Sequence, residues 1–520
     1  MAHAIDPHHP TPVLLATVAR ELGVPWSGSE SISGLAISTA DVRPGALFAA
    51  LPGRTGHGAR YSSAARAVGA AAILTDPDGA TDARRSGLPV LVVDAPRQRL
   101  GRIAQLIAGT EHLPFPLFGV TGTNGKTSTV HLLDALQRRL GRVTALSSTV
   151  ERRVAGESAP SVLTTPEAPE LHAFLARAVE RSVQGAALEV SAQGLSRNRM
   201  DGVVVDVAGF TNLSHDHLDD YVDMDAYLAA KALLFTAERS RAGVASLDSA
   251  AGRRIVRGAT VPITTVSAVP GVAADWIVRV LEQGPEGTRS TVTTPGGTVL
   301  TVDSPLLGEH MAANAGLALA MLAVSGVPLP DLVAATQEPL DVVVPGRMSD
   351  ASLGSGPRVF VDFAHTPDAF EKSLEAVRAF ATGRVAIVVG ADGDRDPSKR
   401  PVMGAVAAAG ADVVVITDHH PRFEDPAPIR ASILGGTRTA AASALVLEEP
   451  DPARAIRRAV AEVGPDGVVY WAGPGLTDYR DVAGVHVPYS SFRDARAALR
   501  EAGYGTVLPV AREESGASNG

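Results

Sequence analysis

There is no cysteine among the 520 residues of the chain. That absence removes disulfides, thiolate zinc sites and cysteine nucleophiles together. A basic block is missing too: 47 Lys and Arg against 56 Asp and Glu leave a formal charge of −9. A mildly acidic chain of this kind is not built for nucleic acid or an anionic membrane as its main partner. It still suits a phosphate-bearing small molecule, which needs only a local positive site. The opening "MAHAIDPHHPTP" has no basic start followed by an apolar run, so no secretory signal is visible and the cytoplasm is the expected compartment. One segment, Met311 to Pro330, runs without a charge, but Asn314, Ser325, Gly326, Pro328 and Pro330 interrupt it. It predicts a buried helix ending near Ser325 and not a membrane span.

What is present is the composition of a soluble globular protein, 45% hydrophobic and 20% charged. The length calls for about two to four domains. Short β-branched runs alternate with helix-length segments, which predicts an α/β fold. Three blocks follow: 13–112, with "ARAVGAAAILTD" and "PVLVVDA"; 113–344, opening on "PFPLFGV" and carrying "GAALEVS" and "DGVVVDVAGFTNLS"; and 345–505, opening near "PGRM". The first dozen residues and the closing "AREESGASNG" read as disordered tails. In the third block "RVFVDF", "RVAIVVGA", "ADVVVIT", "ALVLEE" and "GVVYWAG" recur at the spacing of a mostly parallel, doubly wound sheet. Ligands of such sheets bind beyond the carboxyl ends of the strands, so the loops after these runs are where chemistry is expected.

The stretch "GVTGTNGKTST", Gly119 to Thr129, lies between an apolar run and a helix-like segment. A standard phosphate loop has Gly, four residues, then Gly-Lys-Ser/Thr. Gly125, Lys126 and Thr127 supply the second half, but Val120 stands where the first glycine belongs. The context is nevertheless the one a phosphate loop needs: a strand, a glycine-rich turn shaped by Gly119, Gly122 and Gly125, and a helix starting at the lysine. Backbone N–H groups and the helix N-terminus then face phosphate oxygens, Lys126 adds a point charge, and Thr127 offers a hydroxyl to Mg²⁺. The plainer alternative is a turn that needs glycine for positive φ; both flanks favour the nucleotide.

Other clusters are less specific. "NLSHDHLDDYVDMDAYLAAKALLF" gathers Asp216, His217, Asp219 and Lys231, a set able to hold Mg²⁺ or orient phosphates. The same acids also suit a helix N-terminus. Glu189, ending the "AALEV" run, is either a metal ligand or a solvated carboxylate. "VFVDFAHTPDAFEKSL" sets Asp362 to accept from a ribose hydroxyl and His365 to stack nearby, or simply caps a helix with Thr366 or Asp368. After the next strands come "GADGDRDPSKRP", with Arg395, Lys399 and Arg400, and "TDHHPRFEDP", whose Arg422 can grip a carboxylate through both nitrogens. His419 and His420 invite a metal, but no third ligand stands at helix spacing.

These pieces in this order resemble the Mur ligases, the ATP-dependent amide ligases of peptidoglycan precursor synthesis, and among them the branch that adds an amino acid to the UDP-muramoyl dipeptide. The resemblance runs from about Ser38 to Gly503. It rests on "TGTNGKTS", "LTTPEAPEL", "EVSAQGLSRNRMDG", "FTNLSHDHLDDYVDMDAYLAAKALLF", "PGRM", "VDFAHTPDA" and "GDRDPSKRPVMG". It implies three domains: 13–112 for the uridine nucleotide, 113–344 for ATP, and a Rossmann-like 345–505 for the incoming amino acid. By resemblance Lys126 holds the β/γ-phosphates, with Gly122, Thr123, Asn124, Gly125, Thr127, Ser128, Asn314, Arg347 and Asp362 around ATP. Thr127, Glu189, His217 and Lys231 serve Mg²⁺, Lys231 as a carbamate; Lys126, Lys231 and His217 are the catalytic group. Thr39, Thr164, Thr165, Ser191 and Arg199 match positions on the UDP-muramoyl peptide, and Arg395, His420, Arg422, Gly473 and Thr477 those on the amino acid.

The resemblance also implies the chemistry, in which ATP converts a carboxylate into an acyl phosphate that the amine then displaces. The enzyme class is an ADP-forming acid–amino-acid ligase. Its partners are two small molecules, a UDP-MurNAc-dipeptide and an amino acid, with no nucleic acid and no membrane.

Departures from the family pattern fall mostly in the substrate segments. Asp-Asn-Pro-Arg, usual where meso-diaminopimelate is selected, reads His419-His420-Pro421-Arg422. Gly-Lys-Gly-His-Glu reads "GPGLTDY", with Thr477 in place of Glu; Asp-Ser-Arg reads Ser38-Thr39-Ala40; Val-Ser-Ser-His reads Val190-Ser191-Ala192-Gln193; and a common first Asn near Asn314 is Met311. Two other readings stay open. One is a divergent ligase for another carboxylate and amine, although folylpolyglutamate-type members lack the N-terminal block. The other is a non-catalytic nucleotide-binding scaffold, against which the retained Lys126, Glu189, His217 and Lys231 speak.

Overall fold

The computed structural model describes residues 7, 10–53, 56–440 and 443–505. Most of both expected tails therefore lies outside the described residues. The chain divides into two compact units, one running to Glu282 and resuming over Glu286–Val344, the other made of Gln283–Pro285 and the chain from Pro345 onward.

The first unit opens with a four-stranded sheet, Gly34–Ala36, Ala46–Ala49, Ala72–Thr75 and Val90–Val92, parallel throughout and paired in chain order. Ala46–Ala49 and Ala72–Thr75 are buried along their whole length, which is why they read as unbroken apolar runs. Helix Leu100–Ala108 closes one face, with Leu100, Ile103 and Ile107 against Leu47, Leu74 and Leu91.

Beyond it lies an eleven-stranded sheet whose central strands run in the order Thr144–Ser147, Gly185–Glu189, Leu117–Thr121, Val205–Phe210, Ser240–Ser246, Ile263–Ser267, all parallel. Antiparallel hairpins, Glu151–Val154 with Glu157–Pro160 and Gly287–Thr293 with Val299–Ser304, form its margins. Val120 is in register with Glu189 on one side and Gly209 on the other. The loops after these three strands consequently emerge side by side at one end of the sheet.

Helix Lys126–Arg139 packs with Glu309–Val324 on one face, through Val130, Leu133, Ala315 and Leu319; helix Ala168–Glu180 covers the other through Leu171, Phe174 and Leu175. The charge-free segment is thus the buried helix the sequence predicts, with Ser325 as its C-cap. Among the described residues no helix is long and apolar enough to cross a membrane.

In the second unit all five apolar runs are strands. They lie in the order Arg358–Asp362, Val468–Ala472, Val385–Val389, Val413–Ile416, Leu445–Glu448, all parallel, with only the short Ser349–Asp350 antiparallel at one edge. The last run in sequence inserts between the first two, which reverses the direction of winding there. Helices Pro452–Val463 and Ser491–Glu501 cover the face bearing Val359, Val361, Val388 and Trp471. Phe370 of helix Pro367–Arg378 meets Tyr470 on the opposite face. A hairpin, Tyr479–Val482 with Val485–Pro488, follows the inserted strand and has no counterpart in the sequence reading.

Candidate active site

The glycine loop joins strand Leu117–Thr121 to helix Lys126–Arg139. Gly122 (φ 149°) and Gly125 (φ 85°) lie in the left-handed region and shape the turn. Gly119 does not: it sits inside the strand, where a Cβ would come 2.9 Å from Val205 Cγ1, so it is small for packing and not for turning. Gly125 has Asn314 against it, and an added Cβ would lie 2.7 Å from Asn314 Oδ1.

The neighbouring strand end fixes the loop. Asn124 N–H donates to Asn212 Oδ1 (2.9 Å), and the Asn212 amide returns a bond to Asn124 O (3.1 Å). The Thr211 hydroxyl donates to the same carbonyl at 2.6 Å, and Ser214 N–H donates to Thr123 Oγ1 at 3.0 Å. Thr211, Asn212 and Ser214 were not singled out from sequence. Their signal was positional, because they directly follow a strand.

Two lysines meet on this loop. Lys126 Nζ donates to Gly122 O (3.0 Å) and Thr123 O (2.9 Å), and Lys231 Nζ donates to Gly122 O at 2.7 Å. Lys231, on helix Met224–Ala232, is 1% exposed and sits 4.1 Å over the Tyr227 ring. Burial, and then the charge of Lys126, hold its ammonium well below the ordinary lysine range, with Asp216 opposing. Thr127 and Ser128 are buried in the first turn. His217 adopts φ 57°, lies 3.5 Å from Asp216 Oδ2, and shares a group with Asp219 and Asp220 whose ligand atoms fall within 4.8 Å of one another. Of the three, only Asp220 was unexpected.

Glu189, 1% exposed, is not a solvated loop carboxylate. Its Oε1 accepts from Thr149 N–H (2.8 Å) and its Oε2 from the Thr149 hydroxyl (3.0 Å). Thr149 Oγ1 also contacts Thr164 Oγ1 at 3.0 Å, while Thr165 Oγ1 lies 2.9 Å from Ser191 N and 3.1 Å from Ser191 Oγ. Arg199 donates through Nε to Glu167 Oε1 (3.0 Å) and through a terminal nitrogen to Thr165 O (3.2 Å). The structure therefore brings Thr164, Thr165, Ser191, Arg199 and Glu189 into one bonded cluster, and adds Thr149, which nothing in the sequence marked, and Glu167, which lies within "LTTPEAPEL" but was given no role. Thr39 stands apart from these bonds, in the turn after strand Gly34–Ala36.

In the second unit Asp362 is 4% exposed and faces inward. Its Oδ1 accepts from Phe363 N–H (2.8 Å) and Met348 N–H (3.3 Å), and its Oδ2 from the Tyr470 hydroxyl (3.1 Å) and Ser373 (3.4 Å). This carboxylate organises its own loops. Arg347 beside it stacks 4.8 Å over the Phe363 ring, and His365 Nδ1 meets Phe363 O at 2.9 Å. Thr366 caps helix Pro367–Arg378 through Ala369 N–H (3.2 Å), the plainer of the roles foreseen for this segment.

Sequence spacing offered no third partner for His419 and His420, but the fold supplies one, Asp392. His419 Nδ1 lies 2.7 Å from Asp392 Oδ1, and Arg422 donates to Asp392 Oδ2 at 3.1 Å. Asp481 N–H of the unforeseen hairpin donates to His420 Nδ1 at 2.9 Å, and Arg480 Nε holds His419 O at 2.9 Å. Burial, then the His419 charge, lower the His420 imidazole to about 4. With both Nδ1 atoms engaged and Arg422 on the carboxylate, the trio is a hydrogen-bonded network and not a cation cage. Gly473 (φ 114°) donates its N–H to Asp362 O at 2.9 Å, and the Thr477 hydroxyl turns back to Pro474 O at 2.8 Å. Arg395 is exposed in the loop after strand Val385–Val389.

A parallel-rich sheet with a glycine loop and two converging lysines, followed by a doubly wound unit, defines the phosphate-loop class of α/β proteins. The chain belongs to the Mur ligase family: residues 31–107 match the Mur ligase family catalytic domain, 120–322 the Mur ligase middle domain, and 346–475 the Mur ligase glutamate ligase domain. It is 50% identical over 506 residues to a UDP-N-acetylmuramyl-tripeptide synthetase of Leifsonia xyli subsp. xyli, covering 96% of this chain and 98% of that one. It is 42% identical to a UDP-N-acetylmuramoyl-L-alanyl-D-glutamate–2,6-diaminopimelate ligase of Streptomyces coelicolor, over 94% and 96% of the two chains. A solved 2,6-diaminopimelate ligase of the same description superposes with a TM-score of 0.63 at 27% identity, covering 95% of this chain and 100% of its own. MurF from Acinetobacter baumannii shares the fold, with a TM-score of 0.66 at 17% identity over 89% of this chain and 96% of that one.

Proposed function

We propose that the chain is an ATP-dependent ligase that joins an amino acid to UDP-MurNAc-L-Ala-D-Glu through an acyl phosphate, in peptidoglycan precursor synthesis. The observation that carries this reading is the convergence of Lys126 and Lys231 on the Gly122 carbonyl, within a loop pinned by Thr211 and Asn212. Residues 13–112 take the uridine nucleotide, 113–344 ATP, and 345–505 the amino acid.

The donor set fits a divalent cation: the Thr127 hydroxyl, a buried Glu189 carboxylate whose two oxygens accept from the Thr149 N–H and hydroxyl, and the His217 imidazole. Thr127, Glu189, His217 and a carbamate on Lys231 would hold Mg²⁺, which supplies charge neutralisation at the transferring phosphoryl group. Lys231 suits carbamylation because its site favours the neutral amine, the form that adds carbon dioxide with loss of a proton.

Lys126 and the loop N–H groups offset the charge that builds on the γ-phosphoryl oxygens as the substrate carboxylate oxygen bonds to phosphorus and the bond to ADP breaks. Thr164, Thr165, Ser191 and Arg199 hold the UDP-muramoyl peptide, so that its carboxylate is presented and not left to diffuse. The amine of the amino acid, positioned by Arg395, His420, Arg422, Gly473 and Thr477, then attacks the acyl carbon. A C–N bond forms, phosphate leaves, and the amine loses its proton. Asp362 acts through the Met348 and Phe363 backbone, fixing the segment that carries Arg347, the residue this reading assigns to ATP.

The test is phosphate release by the purified protein with ATP, Mg²⁺ and UDP-MurNAc-L-Ala-D-Glu across a panel of amino acids. Turnover with at least one is expected, and none with any would remove the assignment.

A further inference from the structure

Where the family pattern has an acid at position 419 this chain has an imidazole, and the fold brings a carboxylate back from a different loop. We propose that Asp392 sets side-chain specificity in the amino-acid pocket, so that the amino acid added ends in a single hydrogen-bond donor and bears no second carboxylate. The inference rests on the ligase reading above.

Asp392 divides its oxygens between His419 Nδ1 (2.7 Å) and Arg422 (3.1 Å). Arg422 is itself locked: its N–H donates to Asp481 O (3.0 Å), its carbonyl accepts from Ala483 N–H (2.6 Å), and its φ is 52°. A substrate carboxylate approaching this guanidinium meets the charge of Asp392 at the same cation. The nearby acids give no relief, since Glu424 is held by Arg400 at 2.6 and 2.8 Å and Asp418 by Arg430.

A donor is treated differently. Nδ1 of His419 is committed to Asp392, so in the tautomer with Nδ1–H toward the carboxylate Nε2 is an acceptor, and that atom is buried with no hydrogen-bond partner among the described residues. An unpaired buried acceptor favours a ligand that brings a donor. Thr477 stands where the family pattern has a carboxylate, and its hydroxyl is turned to Pro474 O. Asp392 is therefore a positioning residue acting through Arg422, and His419 is the group that meets the side chain.

The experiment uses the full-length protein with ATP and UDP-MurNAc-L-Ala-D-Glu, and compares L-lysine, L-ornithine, L-homoserine, L-2-aminobutyrate and meso-diaminopimelate. At least one of the first three is expected to exceed both 2-aminobutyrate and diaminopimelate by about tenfold in kcat/KM, the worth of one good hydrogen bond or unmade ion pair. Lysine or ornithine against homoserine separates an ammonium from a hydroxyl donor. Asp392→Asn is expected to raise relative use of diaminopimelate by freeing Arg422, with KM for ATP unchanged, whereas Asp392→Glu keeps the original preference.

Diaminopimelate or 2-aminobutyrate as the best wild-type substrate would overturn the proposal alone, as would D392N and D392E lowering every substrate alike. No turnover with any amino acid would overturn it together with the ligase reading.

Discussion

Gly122 leaves no room for a side chain, because a Cβ there would lie 1.9 Å from Thr211 Oγ1 on a backbone with φ 149°. Gly122→Ala is expected to cost roughly 1–3 kcal/mol and to weaken ATP binding, read by thermal melts and calorimetric titration. A second residue, His172, predicts a pH dependence. It is fully buried, with Nδ1 accepting from the Thr110 hydroxyl (2.6 Å) and Nε2 directed at Asp201 O (3.2 Å). Burial lowers its imidazole from 6.5 to about 4, with the Asp201 bond opposing. The unfolded chain therefore binds a proton in a window where the folded one does not. Its contribution is present in full above pH 6.5, falls as pH drops toward 4, and levels off below, roughly 3 kcal/mol in all. Denaturant titrations between pH 4 and 7 should show that slope, and His172→Gln should flatten it. Lys126 was readable because its loop has a fixed spacing. Asp392 and Glu167 were not, because each acts through partners that only the folded chain brings near.

Among the elements, four of the five parallel strands of the second unit were readable because nearly all of their residues are buried, which leaves continuous apolar runs, whereas the edge strand Leu445–Glu448 is half-exposed and was readable from its spacing. The hairpin Tyr479–Pro488 was not: its second strand is exposed throughout, so it carries no periodic apolar signal, and it is held by bonds from its own backbone to the Arg422 backbone and the His420 ring. The support of the glycine loop by the end of strand Val205–Phe210 was half-readable. The strand and its position were expected, but the exchange between Asn212 and Asn124 was not. Asn212→Ala deletes both of its side-chain bonds to Asn124 without touching the chemistry. A loss of about 1–3 kcal/mol in stability and a several-fold rise in KM for ATP are expected, with KM for the amino acid unmoved. Equal rises in all three KM values would mean that the loop is held in some other way.

The division at Val344 and Pro345 makes a claim about folding as well as geometry. The second unit has its own sheet, closed on one face by Ile456, Ala459, Val460, Ala498 and Leu499 against Val359, Val388 and Trp471. Its one addition from earlier in the chain is Gln283–Pro285, where Arg358 donates to Pro285 O at 3.1 Å. An exposed bond of this kind is worth about 1 kcal/mol, too little to decide whether a domain of this size folds. A fragment of residues 345–505 is therefore expected to fold alone and to melt cooperatively. Its heat-capacity change should be about 2 kcal/mol/K, the value for a chain of its length, measured by scanning calorimetry. If the proposed ligase activity needs both Lys126 and Arg422, neither this fragment nor residues 1–344 should release phosphate alone, because the two residues fall in different units. Mixed at high concentration they should recover a small fraction of activity. A fragment that is unfolded by circular dichroism would show that the inserted strand Val468–Ala472 needs the rest of the chain to find its place, and that the boundary at Pro345 divides contacts without dividing folding.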